Sequence, residues 1–164
     1  MSKVVLKLGD DVSTDIIYPG RYMATVLPNE TPQYAFADLN DFNTRLKGKQ
    51  VQPGSVIVAG GNFGCGSSRE QAASCLKGPE LTIIAKDFAR IFLQNSINLG
   101  LNTIICPDIE ANEGDELIIS ATQVINHSSE KRFEIVALPK ARQAIIDAGG
   151  LIPYTRQRLV PGRK

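Results

Sequence analysis

Ser67, Ser68 and Arg69 close a glycine-rich stretch that runs Gly60-Gly61-Asn62-Phe63-Gly64-Cys65-Gly66-Ser67-Ser68-Arg69-Glu70-Gln71. Two hydroxyls and a guanidinium in consecutive positions place a nucleophile or base beside a fork-shaped cation suited to a carboxylate or phosphate. Glycines let the backbone take positive φ and approach a ligand closely. The stretch follows the apolar run Ser55-Val56-Ile57-Val58-Ala59, which reads as a buried strand, and precedes Ala72-Ala73-Ser74-Cys75-Leu76-Lys77, which reads as a helix. The first N–H groups of a helix lack internal partners and carry the positive end of its dipole. The pattern therefore describes a small anion site with a base in it. A purely structural role stands beside that reading: Ser67 with Glu70 fits a capping box, and Ser68 could also cap. Taken alone, a Gly-Ser-Ser before a helix favours capping. The stretch lacks the lysine of a phosphate-binding P-loop, and no acidic residue follows where a dinucleotide fingerprint needs one.

The elements that must position these residues are legible on either side. Val4-Val5-Leu6-Lys7-Leu8 reads as a first strand, turned by Gly9-Asp10-Asp11. Residues 23–32 hold two prolines and no periodicity, and read as an exposed loop. Tyr34 to Leu39 and Phe42 to Leu46 suggest helical segments with Gly48 as a stop. Residues 81–85 and 102–106 are short buried strands, with a helix from Phe88 to Ser96 between them; Phe88, Ile91 and Phe92 fall at helical spacing, and the two aromatics read as core rather than as a cofactor box. Strand–helix–strand–helix–strand over residues 55–106 predicts parallel pairing through right-handed crossovers. Residues 116–119 and 132–136 read as a hairpin or meander. Pro139 to Ala148 is the last predicted helix, opening near Pro139 and closing on Gly149. The tail after Tyr154, with Arg156, Arg158, Arg163 and Lys164, reads as a solvated basic segment. No internal repeat or long linker divides the chain, so residues 1–164 are expected to form a single mixed α/β domain.

Composition narrows the function classes. The chain has 164 residues, 43% of them hydrophobic, enough for one real core, and a net charge of +1 that argues for neither nucleic acid nor a membrane surface. No run is long and apolar enough to span a bilayer, and the first residues do not read as a signal peptide, so a cytoplasmic protein is expected. The cysteines, Cys65, Cys75 and Cys106, are three and widely spaced, which argues against a disulfide framework, a zinc site or a run of iron–sulfur ligands. Cys75 and Cys106 are expected as buried fillers. Cys65 is expected near the surface of the turn. Asp10, Asp11 and Asp15 do not match an EF-hand, and turn or cap roles suit the first two. His127 is the only histidine and reads as a hairpin-turn residue, which disfavours a Ser-His-Asp hydrolase.

The glycine-rich stretch from Gly61 to Ala72 resembles the signature of the small subunits of 3-isopropylmalate dehydratase and the related homoaconitases, members of the aconitase superfamily. Gly9 to Tyr22, Ile84 to Phe92, Asn95 to Leu101 and Ala148 to Leu151 follow the family's pattern in the same order, so the resemblance covers nearly the whole chain. It implies the swivelling β/β/α domain, a mixed sheet with flanking helices, which this family splits off as a separate subunit. It implies hydro-lyase chemistry: isomerisation of 2- and 3-isopropylmalate by dehydration and rehydration, in leucine biosynthesis. The iron–sulfur cluster of the 4Fe–4S type would belong to a large partner subunit, with no metal or cofactor bound by this chain and no activity of the chain alone. Ser67 is implied as the base, Asp15 as its catalytic neighbour, and Gly66, Ser68 and Arg69 as the substrate-binding residues. Arg21-Tyr22-Met23-Ala24-Thr25 would be the specificity loop. Homoaconitase-like relatives carry arginine where Ala24 stands, so an alkyl-malate is implied, unless Arg21 compensates from its nearby position. Another malate-type acid (homoaconitate, dimethylmalate or citramalate) is the alternative in the same class. A carboxylate-binding regulatory module and a structural partner subunit are the alternatives outside it.

Overall fold

A computed structural model describes residues 1–159. One seven-stranded sheet organises them, in the order β4-β3-β2-β1-β5-β6-β7. Its parallel half consists of β1 (Ser2–Lys7), β2 (Val56–Ala59), β3 (Thr82–Ala85) and β4 (Asn102–Ile105). Its antiparallel half adds β5 (Glu116–Ile119), β6 (Gln123–Asn126) and β7 (Lys131–Glu134). β2 and β3 are buried on both faces, which is why they read as nearly continuous apolar runs. Alternate residues then serve two cores. Ile57, Ala59, Ile83 and Ala85 pack on the side of α3 (Glu70–Lys77), where Ala72, Cys75 and Leu76 meet them. Val56, Val58 and Ile84 pack instead against Leu117, Val124, Phe133 and Ile109, supplied by the antiparallel half and the segment after β4. The sheet curls until its ends touch: Ile105 and Val136 form an antiparallel bridge, with the Val136 N–H donating to Ile105 O at 2.9 Å. Beside it lies a cleft of ≈ 440 Å³ lined by Ile104, Ile119, Ile135 and Leu138, where closure is incomplete.

The other helices are α1 (Thr14–Ile17), α2 (Asn40–Lys47), α4 (Arg90–Leu99), α5 (Lys140–Asp147) and α6 (Leu151–Leu159). α4 ends on Gly100 in the left-handed region at φ 72°. Phe63, Phe88 and Phe92 form one aromatic cluster in which Phe63 and Phe92 are fully buried and Phe88, just before α4, is half-buried, whereas Ile91 at the same spacing is exposed.

Four expectations change. The helix expected over residues 34–39 is absent: a 3-10 turn spans Thr31–Tyr34, and Phe36 then adopts φ 50°. That backbone is held by tertiary contacts, since the Phe36 N–H donates to Ile17 O at 2.7 Å and its ring is fully buried. Asn43 Nδ2 adds bonds to Gln33 O and Ala35 O. A third strand, β6, fills the expected hairpin and makes it a meander, with His127 in the turn after it. The segment holding Arg156 and Arg158 is helical, because Pro153 lies in the first turn of α6, where its missing N–H costs nothing. Arg163 and Lys164 lie outside the described residues. Finally, the Ser67–Glu70 capping box does not form: Arg69 occupies the N-cap position of α3, with no side-chain cap bond.

Candidate functional site

The site lies beyond the C-terminal ends of β1, β2 and β3, where ligands of open parallel sheets commonly bind. Past β2 the chain continues as an irregular extra strand. Bridges join Cys65 to Ser13 on one side and Phe63 to Phe88 on the other. The Gly64 N–H donates to Val12 O at 2.7 Å, the Thr14 N–H to Cys65 O at 2.8 Å and the Ala89 N–H to Phe63 O at 2.9 Å. Carboxylates brace the turn. Asp10 Oδ1 accepts the Gly61 N–H at 2.7 Å, and Asp87 Oδ1 accepts the Asn62 N–H at 2.6 Å. Asp11 Oδ1 accepts from Asn62 Nδ2 at 2.7 Å. The turn role expected of Asp10 and Asp11 is what the structure shows. Gly64 has φ 81°, and a Cβ there would sit 2.2 Å from Phe92 Cγ, so only glycine fits.

At the end of this turn Gly66 (φ 95°), Ser67 and Ser68 are exposed. The Ser67 N–H donates to Thr14 Oγ1 at 3.1 Å, while its own hydroxyl has no partner among the described residues. Thr14 is fully buried and was not singled out by sequence reasoning. Its only signal is its place in Ser13-Thr14-Asp15; nothing local tells that its hydroxyl meets a backbone amide in another loop. Ser68 is tied from behind by Asn95 Nδ2 to its carbonyl, at 3.2 Å.

Arg69 is the best-held side chain of the site, with 16% of it exposed. Its Nη1 donates to Asp15 Oδ1 at 2.6 Å and to Tyr18 O at 3.1 Å. Its Nε is buried with no partner among the described residues. Asp15 therefore meets the arginine, and among the described residues it makes no hydrogen bond to Ser67. The same Oδ1 accepts the Gly20 N–H at 2.9 Å. The Arg69 hydrogen bond first and the Gly20 N–H second hold the Asp15 carboxyl below its ordinary 3.8, so it is ionised at neutral pH.

The loop of residues 20–27 leads away from Asp15. A 3-10 turn spans Gly20–Tyr22. Arg21 is ion-paired with Asp38 and lies over the Tyr22 ring, 4.7 Å from its centroid. Tyr22 stacks on Tyr34 at 4.1 Å. Met23 and Ala24 are exposed, Thr25 is half-buried, and Val26 and Leu27 expose 63% and 52% of their surface.

No three His, Cys, Asp or Glu among the described residues are placed to hold a metal ion. The cysteines do not suit a cluster: Cys75 and Cys106 lie in the two separate cores and Cys65 is half-buried in the turn. Burial pushes the Cys106 thiol up to about 11 and that of Cys75 higher still, so both are inert fillers. No helix among the described residues is long and apolar enough to cross a membrane.

A curled mixed sheet with a glycine turn delivering Ser-Ser-Arg beyond the C-terminal ends of its parallel strands defines a swivel domain of the aconitase type. The sequence model of the aconitase C-terminal domain family matches residues 14–108. The 3-isopropylmalate dehydratase small subunit of Methanosarcina mazei is 44% identical, over 92% of this chain and 93% of its own. The isopropylmalate/citramalate isomerase small subunit of Methanocaldococcus jannaschii is 41% identical, over 94% and 93%. The crystal structure of a 3-isopropylmalate dehydratase from Methanocaldococcus jannaschii superposes with a TM-score of 0.85 at 39% identity, covering 96% of this chain and 93% of that one. The chain belongs to the family of 3-isopropylmalate dehydratase small subunits within the aconitase superfamily.

Proposed function

We propose that this chain is the small subunit of a cytoplasmic hydro-lyase that interconverts 2-isopropylmalate and 3-isopropylmalate, a step of leucine biosynthesis, and that it is inactive without a large subunit. One observation carries the reading: an unpartnered Ser67 hydroxyl stands two residues from a guanidinium that is fixed on one side and unmet on the other. A serine that only capped a helix would be bonded to it. The segment that follows Asp15 also carries the exposed apolar residues Ile16, Val26 and Leu27, which suit a surface covered by a second subunit.

In the proposed reaction Ser67 Oγ takes the proton from the carbon next to a substrate carboxylate, hydroxide leaves the adjacent carbon, and readdition to the cis-alkene in the other sense gives the isomer. The Lewis acid for the departing hydroxide is assigned to the large subunit's iron–sulfur cluster. Serine is intrinsically a poor base and needs support from nearby N–H dipoles. Ser67's own N–H is committed to Thr14, which leaves the amides of Gly66 and Ser68 for that task. Arg69 and Ser68 hold substrate carboxylates and fix the proton against the base. Asp15 acts by holding Arg69. An anion close to Ser67 would disfavour its alkoxide, so a carboxylate turned toward the arginine suits the chemistry.

A second substrate reading has its own support, since the methanogen homoaconitase small subunit of Methanocaldococcus jannaschii is 40% identical over 96% of this chain. Ala24 favours the alkyl-malate. A third carboxylate buried with no cation opposite it costs several kcal/mol, whereas an alkyl group gains about 0.8 kcal/mol per buried carbon. The test is an isomerase assay of the chain reconstituted with its large subunit, against isopropylmalate, dimethylmalate, citramalate and homocitrate. Turnover of isopropylmalate by the pair, and none by either subunit alone, is expected. Turnover by the isolated chain, or a pair that isomerises no malate-type acid, would overturn the proposal.

A further inference from the structure

The loop of residues 22–25 is held from beneath by a single phenol. Tyr18 is fully buried, and its hydroxyl donates to Tyr22 O at 3.1 Å and Thr25 O at 3.2 Å. Both partners are carbonyls, which only accept, and a phenol has one proton. The proton is therefore shared between them, which accounts for lengths above the about 2.7–2.8 Å of a simple O–H···O bond. Tyr22 O and Thr25 O bracket Met23 and Ala24, the two exposed residues of the stretch. Gln71, in the first turn of α3, adds a bond from Nε2 to Met23 O at 3.3 Å. The Tyr18 ring is set in turn by Tyr34, edge to face at 6.2 Å. Burial holds the phenol above its ordinary 10.0, so it remains a neutral donor at any working pH.

The backbone of the same residue serves the other end of the site, since Tyr18 O accepts from Arg69 Nη1 at 3.1 Å. One buried residue thus grips both the carboxylate-binding arginine and the loop bearing Ala24. We infer that Tyr18 is a specificity-determining positioning residue: through its hydroxyl it fixes the separation between the Arg69 guanidinium and the Met23–Ala24 wall, and so selects substrates by the size and polarity of the group that projects from the carboxylate-bearing carbons. This inference rests on the functional reading above. A preformed wall discriminates because it cannot retreat to let a carboxylate keep its water or a larger group find room. A loose loop discriminates less.

Tyr18→Phe keeps the ring and removes only the hydroxyl that bonds to the loop. Two measurements decide. In the isolated chain, hydrogen exchange at the Met23 and Thr25 amides, which bond to Gly20 O and Tyr22 O, should speed up by about fivefold, the loss of one ordinary hydrogen bond. Ser67→Ala should leave those two amides unchanged. In the reconstituted complex, the ratio of kcat/KM for isopropylmalate over homocitrate should fall by about tenfold, the scale of pocket-shape discrimination. The change should appear mainly as a lower KM for homocitrate, with isopropylmalate little affected. Unchanged exchange would show that the hydroxyl does not hold the loop. Faster exchange with an unchanged ratio, or an equal fall in kcat for both acids, would show that the loop does not select. Should the wild-type complex turn over no malate-type acid, the functional reading fails instead, and exchange still decides whether Tyr18 is the staple.

Discussion

The turn of residues 60–69 and the loop of residues 20–27 flank the same guanidinium and are held in opposite ways. The turn is fastened through its backbone, as a strand between extensions of β1 and β3, with carboxylates on its spare N–H groups. Within it, Gly64 has no room for a side chain. The loop is fastened largely by side chains reaching in from elsewhere, Tyr18, Gln71 and Asp38, and its own apolar residues face outward. On the proposed reading, chemistry would sit on the segment whose backbone is fixed on both sides, and selectivity on the segment where exposed side chains can change without disturbing a strand.

The sharpest break of that contrast is Ser67→Ala in the complex. It should lower kcat by about a thousandfold, within the usual range for loss of a general base. Because the hydroxyl makes no cap bond, stability in urea should fall by less than about 0.5 kcal/mol. Near-normal kcat would move the base elsewhere. Gly64→Ala comes next. Its Cβ would overlap Phe92 in a positive-φ backbone, so urea unfolding should show a loss of about 3 kcal/mol. A change there below about 1 kcal/mol would mean the turn is more pliable than its bonds suggest. By contrast Ala24→Arg should leave the unfolding midpoint near that of wild type, while moving the kcat/KM preference toward homocitrate by a few tens of fold; an unmoved preference would show that the loop was assigned the wrong task. The smallest effect is expected from Asp38→Ala. It frees Arg21, an exposed residue whose ion pair contributes little, and should raise homocitrate turnover no more than about twofold with no measurable change in melting. A large rise would mean that Arg21 can supply the cation missing at position 24.

Much of this contrast was legible in residue order. Val56–Ala59 and, but for Thr82, Thr82–Ala85 announce themselves as buried strands by their apolar runs, and the Gly-Ser-Ser-Arg sequence marks the candidate site. What could not be read depends on partners distant in sequence. Phe36 takes positive φ because Ile17 O and the core demand it, against the helical pattern of the sequence around it. Thr14 and Tyr18 look like ordinary residues after a turn, and only the fold brings one to Ser67 and the other beneath Thr25. Asp15 belongs to the site, but its partner is the arginine, a distinction no spacing in the chain encodes. Arg21, the loop residue expected to compensate if position 24 needs a cation, is ion-paired with Asp38.

The bridge between Ile105 and Val136 bears on how such a chain survives before it meets a partner. An open sheet of short strands has two rims of unpaired N–H and C=O groups, each a template on which another chain could add a strand. By bending until the rim of β4 meets the segment after β7, this sheet lets one rim occupy the other at Ile105. Strand-by-strand polymerisation is discouraged without charged gatekeepers on β4, whose sequence, Asn-Thr-Ile-Ile, has none. The curl that gives the second core its cover is thus also a safeguard against fibre growth.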